Sequence, residues 1–369
     1  MNIKDHIHRL KTYRHVRYMW VPYTDTVVTV VSNPSDIAVG SKDDKTGIVN
    51  DDDLKLLHNK ELSSSTPSAL PTKPLSDLLL SLDPSLDPTQ TSQLSFSQLR
   101  DQLLGIAPLD LSHIKKVNTA EAEFWKASQG TRLGDSTDIL GFDCGGEQLV
   151  MEFCFPIGTL EELNSNMELN LNASQGAGNK NGMNGKDIAF VEKLLTLVER
   201  AGIPAPSPIE QRWTASSSAC MSPAYAENAE DKQIFSWVGV IMYLPPNQTD
   251  EQRTAIKSSF EGYLELIQPL LEEYDAHAHW AKIALPAAET PAIPPPLTSE
   301  STPWYASFIA KKESSFKSLP YDQKVLNIRS RLATRYPLKE FNAYRGALDP
   351  YNIYSNKLID VLISPEEEQ

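Results

Sequence analysis

One short stretch of this chain carries a carboxylate and a guanidinium two positions apart. Glu210 and Arg212 flank Gln211, and side chains two residues apart on a β-strand point to the same face of a sheet. A carboxylate beside a guanidinium can orient a hydroxyl group and supply positive charge where negative charge develops. The alternative is a surface ion pair, which contributes about 0–1 kcal/mol to stability. The motif alone does not decide between a catalytic pair and a surface pair.

A second candidate group surrounds two histidines. His277 and His279 stand two positions apart, and Lys282 follows them. Two histidines can ligate a metal ion, but no third ligand accompanies them at a typical spacing, so we predict no metal site. Lys282 could supply positive charge to a bound anion or a polarised carbonyl group, or it could be an ordinary solvated lysine.

Two other stretches contain residue types that are found at reactive sites. The glycine-rich stretch 176–182 lacks the third glycine of a dinucleotide-binding turn and the Ser or Thr of a phosphate-binding loop, so it is predicted to be a flexible loop. Cys144 precedes two glycines and is either a reactive thiol or a small residue at a strand end. The three scattered cysteines of the chain predict neither a disulfide framework nor structural zinc.

Charge and hydropathy narrow the classes of partner. The net charge of −14 argues against nucleic acid, whose binding depends on Lys and Arg neutralising phosphates. The same charge would suit a basic protein partner. No run of the sequence reaches the roughly 18 apolar residues of a membrane-spanning helix.

The elements that must position these residues are predicted to form an α+β fold, with an antiparallel sheet flanked by helices, because strands and helices are mixed without regular alternation. Apolar and β-branched runs predict strands at Tyr18–Val21, Thr26–Val31, Gln148–Phe153, Ile209–Thr214 and Ile234–Leu244. Helical spacing predicts a short basic N-terminal helix and helices around Leu75–Leu82, at Ala120–Lys126, after an N-cap at Asp187, at Glu251–Glu273 and at Gln323–Arg335.

Composition divides the chain into ordered and disordered parts. Asp, Ser, Pro and Leu dominate from Ser35 to about Thr91, which is typical of a solvated insertion. We therefore expect a domain start at 1–33, a disordered insertion at 34–94, a domain body at 95–285 with a flexible loop at 161–186, a proline-rich insertion at 286–322, and a C-terminal segment at 323–369.

Several blocks of the sequence resemble the plant and algal L-galactono-1,4-lactone dehydrogenases, which are aldonolactone oxidoreductases of the vanillyl-alcohol-oxidase type of flavoproteins. The blocks are Tyr23–Val28, Ala120–Lys126, Ile139–Gly146, Pro204–Thr214, Met221–Tyr225, Phe235–Pro245 and His279–Lys282, with Leu348-Asp-Pro and Ser355-Asn near the end. Their number and order make the resemblance specific. It implies the cap, or substrate, domain of such an enzyme.

The resemblance also implies roles for individual residues. It implies FAD-dependent oxidation of L-galactono-1,4-lactone to L-ascorbate, with cytochrome c as electron acceptor. Glu210 would position the lactone hydroxyls, and Arg212 would hold the substrate and stabilise the anionic reduced flavin. Lys282 and Asn356 would lie near the flavin, and Cys144 matches the position of an oxidation-sensitive thiol.

Departures from the family pattern leave alternatives open. The FAD-binding domain of such enzymes has no counterpart in this sequence, so we expect FAD to be bound mainly outside it. By resemblance the protein would lie in mitochondria, on the intermembrane-space side of the inner membrane, although no targeting peptide is recognised. Respiratory complex I is a further expected partner. The alternative to the enzyme is a non-catalytic interaction protein, such as a complex I assembly partner that lost its flavin domain. Galactono-, gulono- and arabinono-lactone enzymes share the Glu-x-Arg pair, so the preferred lactone stays open.

Overall fold

The computed structural model of the chain describes residues 2–34, 71–131, 133–141, 146–165, 185–226, 232–285 and 320–363. Within these ranges the architecture is α+β, as predicted: a six-stranded open sheet with helices packed against it. None of the described helices combines the length and the apolar character needed to cross a membrane.

Six strands pair in the order β2-β1-β4-β5-β3-β6, and every neighbouring pair is antiparallel. Five of the strands lie at the predicted positions. Their runs of β-branched and aromatic residues favour strands because such side chains pack well on a pleated, half-buried surface. The strands are β1 (His15–Val21), β2 (Thr26–Ser32), β3 (Glu147–Thr159), β4 (Ile209–Ala215), β5 (Gln233–Leu244) and β6 (His277–Ala278).

The helices form three groups around the sheet. The first group is α1 (Ile3–Thr12), α7 (Leu160–Ser165), α8 (Lys186–Ala201) and α9 (Asp250–Tyr274). The second is α2 (Lys73–Leu82), α3 (Pro88–Thr91), α4 (Phe96–Ile106) and α5 (Leu111–Ala127), followed by the short α6 (Ser136–Leu140). The third is α10 (Tyr321–Arg335), α11 (Leu338–Leu348) and α12 (Lys357–Leu362).

The main core lies between one face of the sheet and helices α8 and α9. Both helices bury an apolar stripe with helical spacing, including Val191 and Leu194 of α8 and Phe260 and Ile267 of α9. These side chains pack on alternate strand residues such as Val238 of β5. Helices therefore cover one face of the central strands, and the other face lies on the opposite side of the sheet.

Asp187 is not the N-cap of α8, which corrects the sequence-based expectation. Gly185, with φ 80°, occupies the cap position, and Asp187 lies inside the first turn, where it is buried. Its carboxylate contacts His6 Nε2 at 2.9 Å and accepts a hydrogen bond from Trp213 Nε1 at 2.7 Å. Asp187 therefore connects α1, α8 and β4 and does not cap the N-terminus of α8.

Residues 71–94, which the sequence assigns to a disordered insertion, are largely helical. The short helix expected around Leu75–Leu82 is present as α2, and Leu75 and Leu79 are buried against Leu99 and Leu103 of α4. Tyr243 of β5 joins this cluster. The second helix group therefore covers one end of the sheet face that α8 and α9 leave free.

The C-terminal helices cover the opposite end of that face. Arg335 of α10 donates to the carbonyls of Pro223 and Tyr225, and its guanidinium lies 5.7 Å from the ring centre of Phe235. Tyr336 donates from its hydroxyl to the Ala278 carbonyl of β6 at 3.0 Å. Between the two helix groups the middle of the sheet face, here called the open face, stays accessible.

Candidate active site

Strand β4 presents Glu210 and Arg212 on the open face. Burial alternates along the strand: Ile209 and Gln211 are buried, whereas the Glu210 and Arg212 side chains are 24% and 49% exposed. The common orientation expected from their spacing is therefore present. Their chemical roles stay predictions.

A first row of residues crosses the sheet at Glu210. Strand pairing sets Met19 of β1 beside Glu210, Gly239 of β5 on its other side, and Glu152 of β3 beyond Gly239. His279 ends the row, since its amide donates to the Glu152 carbonyl at 2.8 Å. A glycine thus separates two glutamates, about 10 Å apart from strand to strand.

A second row runs parallel to the first at Arg212. Arg17 pairs with Arg212, Arg212 with Trp237, Trp237 with Cys154, and Cys154 with His277. Trp237 donates from its indole nitrogen to Thr214 Oγ1 at 2.8 Å, which fixes the ring on this face. The two rows bring cations, carboxylates and an aromatic ring together at the centre of the sheet.

Two ion pairs hold the charged groups. Arg212 donates to Glu152 Oε1 from Nε at 3.1 Å and also from Nη2, and the Glu152 side chain is only 8% exposed. Arg17 Nη1 lies 3.7 Å from Glu210 Oε1. Burial acts to lower the pKa of Arg212, but the charge and hydrogen bond of Glu152, together with the charge of Glu210, raise it above its usual value. Arg212 therefore remains a cation at every physiological pH.

Lys282 ends a short 3₁₀ turn, Trp280–Lys282, which comes directly after His279 of the first row. The turn is fixed by Trp280, whose indole nitrogen donates to the Met221 carbonyl at 3.0 Å, and by His279 Nδ1, which accepts from the Ala281 amide at 3.3 Å. Burial lowers the pKa of His279; the positive charges of Lys282 and Arg212 add to this effect, while Glu152 opposes it. Lys282 and Arg212 thus act on the same imidazole ring.

The two histidines do not share a metal-binding arrangement with other ligands in the part of the chain that the structure describes. His277 Nε2 lies 3.3 Å from Asp275 Oδ1, and burial lowers the pKa of its ring. His279 packs against Trp237, with ring centres 5.9 Å apart. Both imidazoles line the open face as neutral groups near neutral pH.

Of the predicted site residues, Asn356 is not brought to the two rows, and the position of Cys144 is not described. Cys144 lies outside the described residues. Asn356 caps α12, where its Oδ1 accepts from the Ile359 amide at 3.1 Å, and no hydrogen bond among the described residues joins it to Glu210 or Arg212. The thiol that does lie on the open face is Cys154, which is buried and whose pKa is raised by that burial. Cys154 is therefore poorly suited to react as a thiolate.

Glu152 and Arg17 were not predicted from the sequence to belong to the site. A signal existed for Glu152, because it is a single charged residue inside the apolar run 149–155, and a buried carboxylate requires a partner. Arg17 follows the same rule on β1, where it interrupts apolar and aromatic neighbours. Neither partner could be named from the sequence, because the pairing depends on strand order.

The open face can bind a small polyhydroxylated molecule with a polarisable carbonyl group. Carboxylates accept hydrogen bonds from hydroxyl groups, and a guanidinium donates to oxygen with fixed geometry. Glu210 supplies the first function, and Arg212 and Lys282 supply positive charge. Gly239 lies between Glu210 and Glu152 in the first row and adds no side chain to the open face, although its own surface is buried.

Comparison with known families identifies the family of the chain. The family model of D-arabinono-1,4-lactone oxidase matches residues 87–362, well over half of the chain. The chain belongs to this family. The match includes both rows except for Met19 and Arg17, and it begins inside the segment 34–94, which is consistent with the folded helices found there.

Individual relatives carry names from the same chemistry. A Brassica oleracea protein named mitochondrial L-galactono-1,4-lactone dehydrogenase is 38% identical over 360 residues, which are 97% of this chain and 50% of the relative. An Oryza sativa subsp. japonica protein, mitochondrial L-galactono-1,4-lactone dehydrogenase 1, is 37% identical over 99% of this chain and 51% of its own length. The Arabidopsis thaliana enzyme of this name is 37% identical over 97% of this chain and 49% of its own length. The chain thus spans about half the length of the curated relatives it matches.

Proposed function

We propose that this chain forms the substrate-side domain of an FAD-dependent aldonolactone dehydrogenase that oxidises L-galactono-1,4-lactone to L-ascorbate. The observation that carries the proposal is the joint exposure of Glu210 and Arg212 at the centre of the open face. The names of the relatives supply the lactone. A related aldonolactone, such as arabinono-1,4-lactone, is the second substrate candidate because of the family description.

In this function Glu210 accepts hydrogen bonds from the lactone hydroxyls and fixes the ring above Gly239. Arg212 donates to lactone oxygen and keeps its positive charge throughout, since Glu152 raises its pKa. Binding of the ring displaces water from the open face, which strengthens both interactions. The two side chains thus set the orientation in which the substrate carbon presents its hydrogen.

FAD supplies the hydride acceptor when it is bound. The residues present fit a flavin ring, because Arg212 and Lys282 place positive charge where a reduced, anionic isoalloxazine would gain stability. In this proposal both residues, together with Asn356, contact the cofactor. We propose that the phosphates and the rest of FAD are bound mainly by a part of the protein that corresponds to the other half of the relatives.

The C-terminal segment faces that domain in our proposal. Its turn after α11 displays Tyr351, Ile353 and Tyr354 at 72–84% exposure. The turn is ordered by Asp349, whose carboxylate accepts from the amides of Ile353 and Tyr354 at 2.8 Å each. Apolar side chains held rigidly in solvent are typical of a surface that another domain covers.

We further propose cytochrome c as the electron acceptor, with the protein in mitochondria on the intermembrane-space side of the inner membrane and in contact with respiratory complex I. The relatives named above are mitochondrial proteins. The net charge of −14 supports a basic protein as acceptor.

The test is a hybrid enzyme in which this chain replaces the matching half of the Brassica oleracea relative. With L-galactono-1,4-lactone, the hybrid enzyme should reduce cytochrome c. Arg212→Ala should slow turnover at least about tenfold, which is the scale of one lost charge contact in a transition state. The matched control is Arg253→Ala, which removes an arginine paired with Glu147 at the end of β3. A folded, flavin-containing hybrid enzyme that leaves cytochrome c oxidised, or unchanged turnover in Arg212→Ala, would contradict the proposal.

A further inference from the structure

We infer that Glu152 is a positioning residue for Arg212: its buried carboxylate holds the guanidinium above the open face, in the orientation from which it binds the lactone. The inference rests on the proposed function for the role of Arg212. Glu152 lies on β3 and is not part of the Glu-x-Arg motif, which lies on β4.

The contact between the two residues crosses a whole strand. Glu152 on β3 and Arg212 on β4 are both neighbours of β5, so the arginine side chain must pass over β5 to reach the carboxylate. Glu152 lies in the row of Gly239, where no side chain obstructs this path. Nε and Nη2 of Arg212 both donate to Oε1 of Glu152, and this contact does not use Nη1.

The two partners differ sharply in exposure. The Glu152 side chain is 8% exposed and that of Arg212 is 49% exposed. A carboxylate removed from water is unfavourable unless it is paired, so Glu152 strongly retains its cation. The arginine, in contrast, could satisfy its donors with water. The pair therefore acts mainly on Arg212, because it limits a long, flexible side chain to one direction.

Glu210 is held differently. Its contact with Arg17 is longer, at 3.7 Å, and both side chains are partly exposed, at 22% for Arg17 and 24% for Glu210. Glu210 can therefore exchange this partner for a substrate hydroxyl, whereas Arg212 keeps Glu152 while its remaining donor edge meets a ligand. In this arrangement Glu210 binds the substrate hydroxyl, whereas Glu152 orients Arg212.

The experiment uses the full chain and does not depend on turnover. Relaxation of the Arg212 ¹⁵Nε–¹H group by NMR, assigned with Arg212→Lys, reports the order of the guanidinium directly. Glu152→Gln keeps the shape but removes the charge, so the order of the Nε–H vector should fall. Glu152→Asp keeps the charge on a shorter side chain, so in this variant the order of the Nε–H vector should fall less. Glu147→Gln is the matched control, because it removes the glutamate of another Glu–Arg pair on the same strand.

Lactone affinity, measured by calorimetry with L-galactono-1,4-lactone, is the second readout. Glu152→Gln should weaken binding at least about fivefold, the scale of one weakened hydrogen bond to a charged group, and should have little effect in an Arg212→Ala background. Unchanged Nε order, or equal weakening in both backgrounds, would overturn the inference. Failure of the unmodified chain to bind the lactone would instead count against the proposed function, while the NMR comparison still decides the role of Glu152.

Discussion

At the scale of single residues, the carboxylate of Asp187 beneath β4 is held by several partners at once. It receives hydrogen bonds from Trp213 Nε1 and the Ile188 amide and contacts His6 Nε2, while Gln211 donates to its backbone carbonyl at 3.1 Å. Burial acts to raise the pKa of Asp187, but the charge and hydrogen bond of His6, with the other two donors, lower it below 3.8. The carboxylate is thus a charged anchor on the sealed side of the candidate site.

Asp187→Asn should lower the free energy of unfolding by about 3 kcal/mol at pH 7, because it removes one partner of a buried charge cluster. Since the folded-state pKa lies below the unfolded one, the contribution of Asp187 is fully present above the unfolded pKa and is lost as pH falls through the folded value. Urea unfolding of the variant and the unmodified chain, at pH 7 and near pH 3, measures the loss of stability and its dependence on pH. Asp25→Asn, at an exposed position, is the control; an equal loss at both pH values would contradict the assignment.

The sequence predicted the candidate site only in part at this scale. The period of two along a strand was enough to place Glu210 and Arg212 on one face. It could not pair Arg212 with Glu152, because the two are 60 positions apart and meet only through the strand order of the sheet. Asp187 was misassigned because a buried anchor and an N-cap look alike before an amphipathic run.

At the scale of elements, the helices α2 to α4 show how composition can mislead. The segment is rich in Ser, Asp and Pro, but several of these residues begin helices: Asp87 caps α3 and accepts from the Thr89 amide at 2.9 Å, and Ser95 forms a capping box with Gln98. Residues that favour helix starts are the same residues that favour disorder. The apolar spacing within α2 was the correct signal, and it identified that helix.

Leu79→Ala should reduce the free energy of unfolding by about 2–5 kcal/mol, the usual loss for a large buried side chain. Leu79 is 2% exposed in the cluster that covers one end of the open face. Leu82→Ala, three residues later and 37% exposed, should cost about 1 kcal/mol or less. Chemical denaturation of both variants measures the difference, and equal small losses would show that α2 does not contribute to the folded core.

At the scale of the whole molecule, charge should govern the encounter with an electron acceptor. The net charge of −14 attracts a basic protein over a distance that salt shortens. Cytochrome c reduction by the hybrid enzyme should therefore slow about threefold or more when ionic strength rises from about 0.02 M to about 0.2 M. A small uncharged acceptor is the control, and an equal decline with that acceptor would show that the acidic surface does not guide the encounter.

Gly239, at the centre of the sheet, has a consequence for the space above the open face. Gly239 does not adopt a left-handed backbone conformation, and an added methyl group would meet only Glu210 Cβ, at an ordinary contact distance of 3.9 Å. Neither folding nor packing among the described residues demands a glycine there. Any side chain larger than a methyl group at this position would extend above the sheet, into the space that the proposed function assigns to the substrate.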